Sequence, residues 1–385
     1  MSNSFSTFFT EKLTASVVNS VTYTLYVGSL DCTDEMQVLP RIRRETDRVI
    51  SETTVIKLIR SDALVNSLGV NSFEWFGQSA AFDWGFVTAS GTSDTIQLLS
   101  GNINKLSIID DTIEIGVADK NNTFSRIPVG SKDNPSGYTA YPSDQWWDLM
   151  TDEGGLSNVE SSSNPDIDYD AWTDWNDEDA ADTRVWLIRS SEGTDVLALH
   201  QKIIELAIAG IFQDGTGRLV PLSWPKRVLS GSMEITDSDI IGDIKTTFRE
   251  SQMINQVLVA WYDEVIDDMT YTSYVNTISV SSWGLHAIEF GDYDDMKLYD
   301  ASIAGTGAAS LTAIRKVIMA DDPLEVIRHR FRTDISGLKY LPEDAITLVT
   351  SRDLIDSRDL TVRKVEYDLE KGLVDLELVG RYLPA

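Results

Sequence analysis

The sequence predicts a β-rich α+β protein of several modules, in which two related small β-barrels flank central mixed α/β and β modules. Three observations carry this. First, two segments near opposite ends share a pattern: Ile103-Asn104-Lys105-Leu106-Ser107-Ile108, an Asp110-Asp111 turn and Ile113-Glu114-Ile115-Gly116-Val117; and Val362-Arg363-Lys364-Val365-Glu366-Tyr367, a Glu370-Lys371-Gly372 turn and Val374-Asp375-Leu376-Glu377-Leu378. Each is an alternating strand, a tight turn and a second alternating strand, the pattern of an antiparallel hairpin with one buried face. Chance competes with duplication here, because binary alternation is common. Second, 385 residues exceed what one ordinary core organises. Third, a 42% hydrophobic composition with 10 Trp, 13 Tyr and 12 Phe marks a folded chain.

Along the chain, residues 13–30 read as strand, with Val17, Val18, Val21, Tyr23, Leu25 and Tyr26 supplying β-branched and aromatic side chains. The stretch Glu45 to Ser67 is ambiguous, and the segment around it holds Arg41, Arg43, Arg44, Arg48, Lys57 and Arg60. A dense aromatic run follows: Phe73, Trp75, Phe76, Phe82, Trp84 and Phe86. It reads as core plus an oligomer face, since aromatics dominate both interiors and permanent interfaces. From Asp133 to Thr183 there is no Lys or Arg against fourteen Asp and Glu, which marks an inserted loop or a domain junction. Trp146, Trp147, Trp172 and Trp175 within it require that part of it packs against something.

Structure resumes with a strand at Val185-Trp186-Leu187-Ile188. A helix N-capped by Thr194 follows, with Val196, Leu199, Ile203, Leu206 and Ala207 on one side and Gly210 at its end. Ile211-Phe212 and Arg218-Leu219-Val220 form a hairpin through Asp214-Gly215-Thr216-Gly217. A short polar helix is expected around Asp237–Thr246, a strand at Val257–Tyr262, and a helix from Ser310 to about Met319 with Pro323 opening the next turn. The remainder alternates as strands. The expected boundaries are a first barrel at 1–132, an acidic Trp-containing insertion at 133–184, a central α+β domain at 185–300 and a second barrel at 301–385.

The formal charge of −29 disfavours gripping nucleic acid or an anionic membrane, yet suits a conduit through which DNA slides without sticking. The single Cys32 excludes an intrachain disulfide and a cysteine metal cluster, and reads as a small residue in or beside a strand. Residues 1–30 lack a basic n-region and an 18-residue apolar run, so neither a secretion signal nor a membrane span is expected.

Asp166, Asp168, Asp170, Asp174 and Asp177 occupy positions 1, 3, 5, 9 and 12 of a calcium-type loop. Ala171 stands where the turn wants Gly, and Asp177 where a bidentate Glu is usual, so a solvated acidic loop is the preferred reading and no cofactor is expected. Gly305-Thr306-Gly307 before a helix lacks the third glycine of a dinucleotide loop, and Asp214-Gly215-Thr216-Gly217 reads as a turn rather than a protease signature. His200, His286 and His329 are isolated, with His200 a partly buried structural imidazole. The acids are too many for carboxylate pairs to be informative. No enzyme is expected.

The helix from Ser310, then Gly337-Leu338-x-Tyr340-Leu341-Pro342-Glu343-Asp344-Ala345-Ile346-Thr347-Leu348, then the closing hairpin from Val362 to Leu378 resembles the layout of the central hub proteins of bacteriophage tail tips and baseplates. That family commonly has Pro-Gly-Asp where this chain has Pro342-Glu343-Asp344. Ser100-Gly101-Asn102-Ile103 through Asp111-Thr112-Ile113-Glu114-Ile115 to Asp119 is similar to its first-barrel hairpin, and Ile254-Asn255-Gln256-Val257-Leu258-Val259 to its middle-domain strand. The resemblance spans about two-thirds of the chain and contains no catalytic motif.

It implies a homotrimer whose six quasi-equivalent barrels adapt a sixfold tail tube to a threefold tip, and so raises the case for duplication. The implied partners are tail tube or distal tail proteins on one side and tip or fibre proteins on the other. DNA would pass unbound, no membrane would be entered, and the protein, made in the host cytoplasm, would reside in the virion tail tip. Phe73, Trp75, Phe76 and Trp84 are the expected ring interface, so that Trp84→Asp breaks the ring and leaves soluble subunits. Trp172 and Trp175 are expected to meet a basic patch on a neighbouring tail protein, so that deleting 160–180 spares the ring. Two other classes stay open: a distal tail protein joining tube to fibres, and a calcium-dependent carbohydrate-binding surface protein using Trp172 and Trp175.

Overall fold

The computed structural model describes residues 21–45, 53–67, 72–87, 93–129, 138–182, 185–188, 195–207, 209–222, 233–248, 255–263, 266–290, 296–300, 327–342, 344–352 and 358–380. The predicted helix at 310–319, the Gly305–Gly307 loop and Pro323 lie outside them.

The first sheet is built from β1 (Val21–Val27), β2 (Leu30–Asp31), β3 (Met36–Val38), β5 (Thr53–Ile59), β6 (Ser79–Val87), β7 (Ser93–Ile109) and β8 (Thr112–Ala118); β4 (Arg41–Glu45) leaves it. Its order is β2-β1-β6-β7-β8-β5-β3. Cys32 follows β2, buried, and burial together with the Glu35 and Asp31 charges pushes its thiol up to about 12, which leaves it protonated and unreactive.

The middle of the chain contributes β9 (Tyr138–Ala140), α1 (Pro142–Asp148), α2 (Tyr169–Asp182), β10 (Val185–Ile188), α3 (Val196–Ala207), and the hairpin β11 (Gly210–Gln213) and β12 (Leu219–Leu222). It then supplies β13 (Met233–Thr236), β14 (Ile240–Phe248), β15 (Gln256–Asp263), β16 (Asp268–Val275), β17 (Ala287–Phe290) and β18 (Met296–Asp300). β16-β15-β18-β10-β9 form a sheet with β17 beside β15. α3 is N-capped by Asp195, whose carboxylate accepts from Ala198 N at 2.7 Å, one residue later than the sequence suggests.

β19 (Ile327–Asp334), β20 (Ala345–Val349), β21 (Arg358–Asp368) and β22 (Leu373–Gly380) complete the chain, in the sheet order β13-β20-β21-β22-β19-β14. β4 pairs with β21 beside this path. The second sheet thus takes strands from 41–45 and 233–248 as well as from 327–380. Where a polar helix was expected at Asp237–Thr246, Asp237–Asp239 make a turn and β14 follows. Its carbonyls and amides pair with β19, from Ile240↔Thr333 to Phe248↔Ile327. Both sheets curl into half-barrels, and one continuous apolar core joins them. A second core, containing Trp146, Trp147, Trp175, Trp261 and the inner face of α3, holds the middle domain. No described helix is long and apolar enough to cross a membrane.

The two terminal hairpins match residue by residue. In β7–β8 the ladder slips between Ile103 and Lys105; in β21–β22 it slips between Val362 and Lys364. Each slip is a β-bulge, which inserts one residue and sharpens the twist that closes a sheet. From bulge to turn, Ile103–Ile109 and Val362–Asp368 have equal length, and so do the return segments Thr112–Val117 and Leu373–Leu378. A third strand lies on the same edge of each: Ile56 faces Ile115, and Phe331 faces Leu376. One residue on, each unit carries an ion pair on its outer face, Lys57–Glu114 at 2.9 Å and Arg332–Asp375 at 2.7 Å. The sheet orders β6-β7-β8-β5 and β20-β21-β22-β19 correspond, and so do the chain orders. A 3₁₀ turn, Ser72–Trp75 or Ile335–Lys339, links the first two strands of each unit. Alternation by chance explains two amphipathic hairpins; it does not explain a shared bulge, third strand and ion pair.

Candidate functional site

The junction between the half-barrels is organised by β4. In Arg41-Ile42-Arg43-Arg44-Glu45, Ile42 and Arg44 point inward and are 3% and 5% exposed, while Arg41 and Arg43 point out. β4 runs antiparallel to β21, from Arg41↔Asp368 to Glu45↔Lys364, so a strand bracketed in sequence by first-sheet strands is hydrogen-bonded into the second sheet. Arg41 lies 3.1 Å from Asp368 and 3.6 Å from Glu366. Burial opposes charge on Asp368, but hydrogen bonds from the Lys371 side chain and N–H, with the Arg41 charge, hold its carboxyl below the usual range.

Arg44 ties three strands together. Its guanidinium lies over the Tyr367 ring, 5.4 Å from the centroid, and Nη2 donates to the Leu98 carbonyl of β7 at 3.0 Å. Tyr367 is fully buried and its hydroxyl donates to the Tyr340 carbonyl at 3.0 Å.

The middle domain locks onto the same place through the β11–β12 turn. Asp214 accepts from Thr216 N and Arg218 N, each at 2.9 Å, which fixes the turn read from the sequence. A Cβ on Gly215 would stand 1.8 Å from the Gln97 carbonyl oxygen, so only glycine permits this approach to β7. Gln213 donates to the Ser100 carbonyl at 2.8 Å and accepts from Lys120 N at 2.9 Å. The arrangement joins the two equivalent β-units through Arg44 and seats the middle domain against β7.

The residues predicted from sequence are placed differently. Trp75 and Trp84 are 3% and 2% exposed in the first half-barrel core, where Trp84 meets Phe86 edge-on at 5.0 Å. Both side chains are spent on the apolar core of their own chain, Trp84 from the inner face of β6 and Trp75 from the 3₁₀ turn before it, rather than being displayed on a surface. Phe76 is 46% exposed, and the Phe73 side chain lies outside the described set.

Trp172 and Trp175 are likewise packed inward. Trp175 is buried 5.9 Å from Trp146; Trp172 stacks 4.6 Å from Trp147 and donates its indole N–H to the Ser143 carbonyl at 3.0 Å. Trp175 is thus core of the middle domain, and Trp172 is partly buried against that core with its indole N–H already spent within the chain. The calcium-type loop also does not form. Residues from Tyr169 onward are helical, so Asp170, Asp174 and Asp177 project from α2 and cannot converge with Asp166 and Asp168. Asp166 is committed to Lys120 Nζ at 2.6 Å and Ser157 N at 2.8 Å; Asp168 caps α2 through Ala171 N at 3.2 Å and lies 3.5 Å from Arg218. Among the described residues no group of three or more His, Cys, Asp or Glu is placed to hold a metal ion.

The histidines are far apart in role. His200 is fully buried against Phe124 and Trp146, and desolvation lowers its pKa to about 3, so it is a neutral core residue rather than a partly buried one. His329 shares a 3.0 Å hydrogen bond with Thr246 across β14–β19.

Not anticipated from the sequence were exposed apolar side chains on the first half-barrel: Val55, Ile59, Ile108 and Ile109 are 44%, 46%, 51% and 55% exposed. Val55, Ile59 and Ile109 belong to the outer face of the alternating strands, a signal present in the sequence at those positions.

No protein-family model matches the sequence. No curated protein matches it either. The fold, however, is that of phage tail proteins across nearly the whole chain. The 43 kDa tail protein of prophage MuSo2 from Shewanella oneidensis aligns over 94% of this chain and 98% of its own, at a TM-score of 0.54 and 11% identity. The tail protein from Neisseria meningitidis MC58 aligns over 94% and 96%, at 0.56 and 11%. Prophage tail protein gp18 from Listeria monocytogenes EGD-e aligns over 94% and 95%, at 0.56 and 10%.

Proposed function

We propose that this chain, which has the fold of phage tail proteins, is the structural hub of a tail tip or baseplate, assembling as a threefold ring that adapts a sixfold tube to the tip. The observation that carries this reading is the residue-level equivalence of the β5–β8 and β19–β22 units. Two equivalent units per chain allow three chains to present six similar surfaces, which is how threefold and sixfold symmetry meet in one layer. Arg44, touching β7 and Tyr367 of β21, and Arg41 on Asp368 fix the relative position of the two units, and the Gly215 approach holds the middle domain against β7, as a ring with defined curvature requires. The charge of −29 supports a DNA conduit that neither binds nor retains its cargo. The role is mechanical rather than catalytic, the partners are neighbouring tail proteins, and the place of action is the virion tail tip.

Sedimentation of the full chain, alone and with tube or distal tail protein, tests the reading through mass. A species three times the 42.8 kDa chain mass is expected. Six chains per ring would favour a distal tail protein, and a monomer under all conditions would remove the hub assignment.

A further inference from the structure

The two equivalent units differ at one edge. In the second unit β20 covers β21 only as far as Thr361, and β4 covers the stretch beyond the bulge, Lys364–Asp368. In the first unit β6 covers β7 as far as Asn102, and no described strand pairs with the other edge of Lys105–Ile109. The side chains report the same difference. Tyr367 is fully buried beneath Arg44 of β4, whereas its counterpart by register, Ile108, is 51% exposed.

The backbone of this edge is available for pairing. The two-residue turn Asp110-Asp111 makes Ile109 and Thr112 a hydrogen-bonded pair, so Leu106 and Ile108, which alternate with it, direct their N–H and C=O away from β8. An exposed strand edge with apolar side chains is a template for a further strand. The covering strand in the second unit, β4, comes from the segment that directly precedes the first unit in the chain. That contact is head-to-tail and leaves one unused acceptor in the first unit, which closed rings satisfy between subunits. Among the described residues nothing covers this edge, and Ile108 is left half-exposed.

We infer that the Lys105–Ile109 edge of β7 is the acceptor site for an extended segment from a second copy of this chain, as β4 is accepted by β21 within one chain. This rests on the proposed ring, and names the contact that closes it. The test combines sedimentation with hydrogen exchange on the full chain. On assembly the amides of Leu106 and Ile108 become protected relative to the dilute monomer. Ile108→Asp places a charge at the contact, and Ile108→Pro removes the outward amide and fixes φ at an edge position while remaining apolar. Each is expected to raise the dissociation constant roughly tenfold or more, with circular dichroism unchanged. Val159→Asp, at an exposed apolar position elsewhere, leaves assembly unaffected.

If the Ile108 variants assemble like the wild type and residues 105–109 exchange equally in monomer and ring, the edge is not the contact, although the ring stands. If a variant misfolds, protection in the wild type decides alone. A wild type that never self-associates overturns both the edge and the ring.

Discussion

Trp84→Asp distinguishes a core tryptophan from an interface one. Trp84 sits on β6, 2% exposed, edge-on to Phe86 and inside the core shared by both half-barrels. Truncating a buried Trp costs about 3–5 kcal/mol in lost burial and residual cavity. A carboxylate there has no water and must either stay charged in an apolar site or take a proton, which adds at least a few kcal/mol more. Native stability is about 5–15 kcal/mol, so the substitution consumes most or all of it. The variant should therefore be unfolded or aggregated, with near-ultraviolet circular dichroism lost and no cooperative urea transition. Ile108→Asp, at an exposed position, should retain both. A Trp84→Asp protein that is soluble, melts cooperatively and fails only to oligomerise would refute the placement of Trp84 in the core.

Acid should destabilise the middle domain through His200. Its folded pKa of about 3 lies below the ordinary 6.5, so the unfolded state binds the proton first. Stability is full above about pH 6.5 and falls toward pH 3 by about 1.4 kcal/mol per unit; His200→Leu should flatten that part of a pH–stability curve measured by urea titration. Deleting 160–180 removes Ile167, Ala171 and Trp175 from buried positions, so limited proteolysis should find the middle domain unfolded rather than a ring lacking one partner. Calcium should not raise the melting temperature of the intact chain, as differential scanning calorimetry would show. Gly215→Ala forces a Cβ against the Gln97 carbonyl and should cost about 1–3 kcal/mol, read as a lowered urea midpoint.

The hairpins were legible because one buried face imposes strict alternation, as in Ile113, Ile115 and Val117. The bulges at Ile103–Lys105 and Val362–Lys364 shift that phase only locally, and so leave no mark beyond two polar residues in succession. β4 was hidden for a different reason. It is five residues long, carries three arginines, and owes its pairing to β21 more than three hundred positions away. The β14 region, where a short polar helix is expected from sequence, is a turn and a strand because its partners are distant. Asp237 accepts from the side chain of Thr350 and from Ser351 N at 3.0 Å, which lowers its pKa to about 2, and neither partner is local.

The tryptophans were misplaced through composition. Fourteen acids in the 133–183 stretch suggest a surface, yet Ala171, Trp175 and Asp179 recur at four-residue spacing and form the buried face of α2. Asp179 is accommodated there by accepting from Ser143 N at 2.9 Å. The helical period was present in the sequence, and the charge around it concealed it. Ile108 illustrates the reverse case: alternation identifies the strand and its inner face, but only the sheet order shows that no described strand pairs with its outer edge.

The central claim is that two equivalent units per chain build one ring, and electron cryo-microscopy of the assembled protein tests it most directly. A ring of six similar β lobes around an open channel is expected, with threefold symmetry between chains and near-sixfold symmetry among lobes. A particle in which the β5–β8 and β19–β22 units occupy unlike positions, or in which no ring forms beside the tail tube, would contradict it.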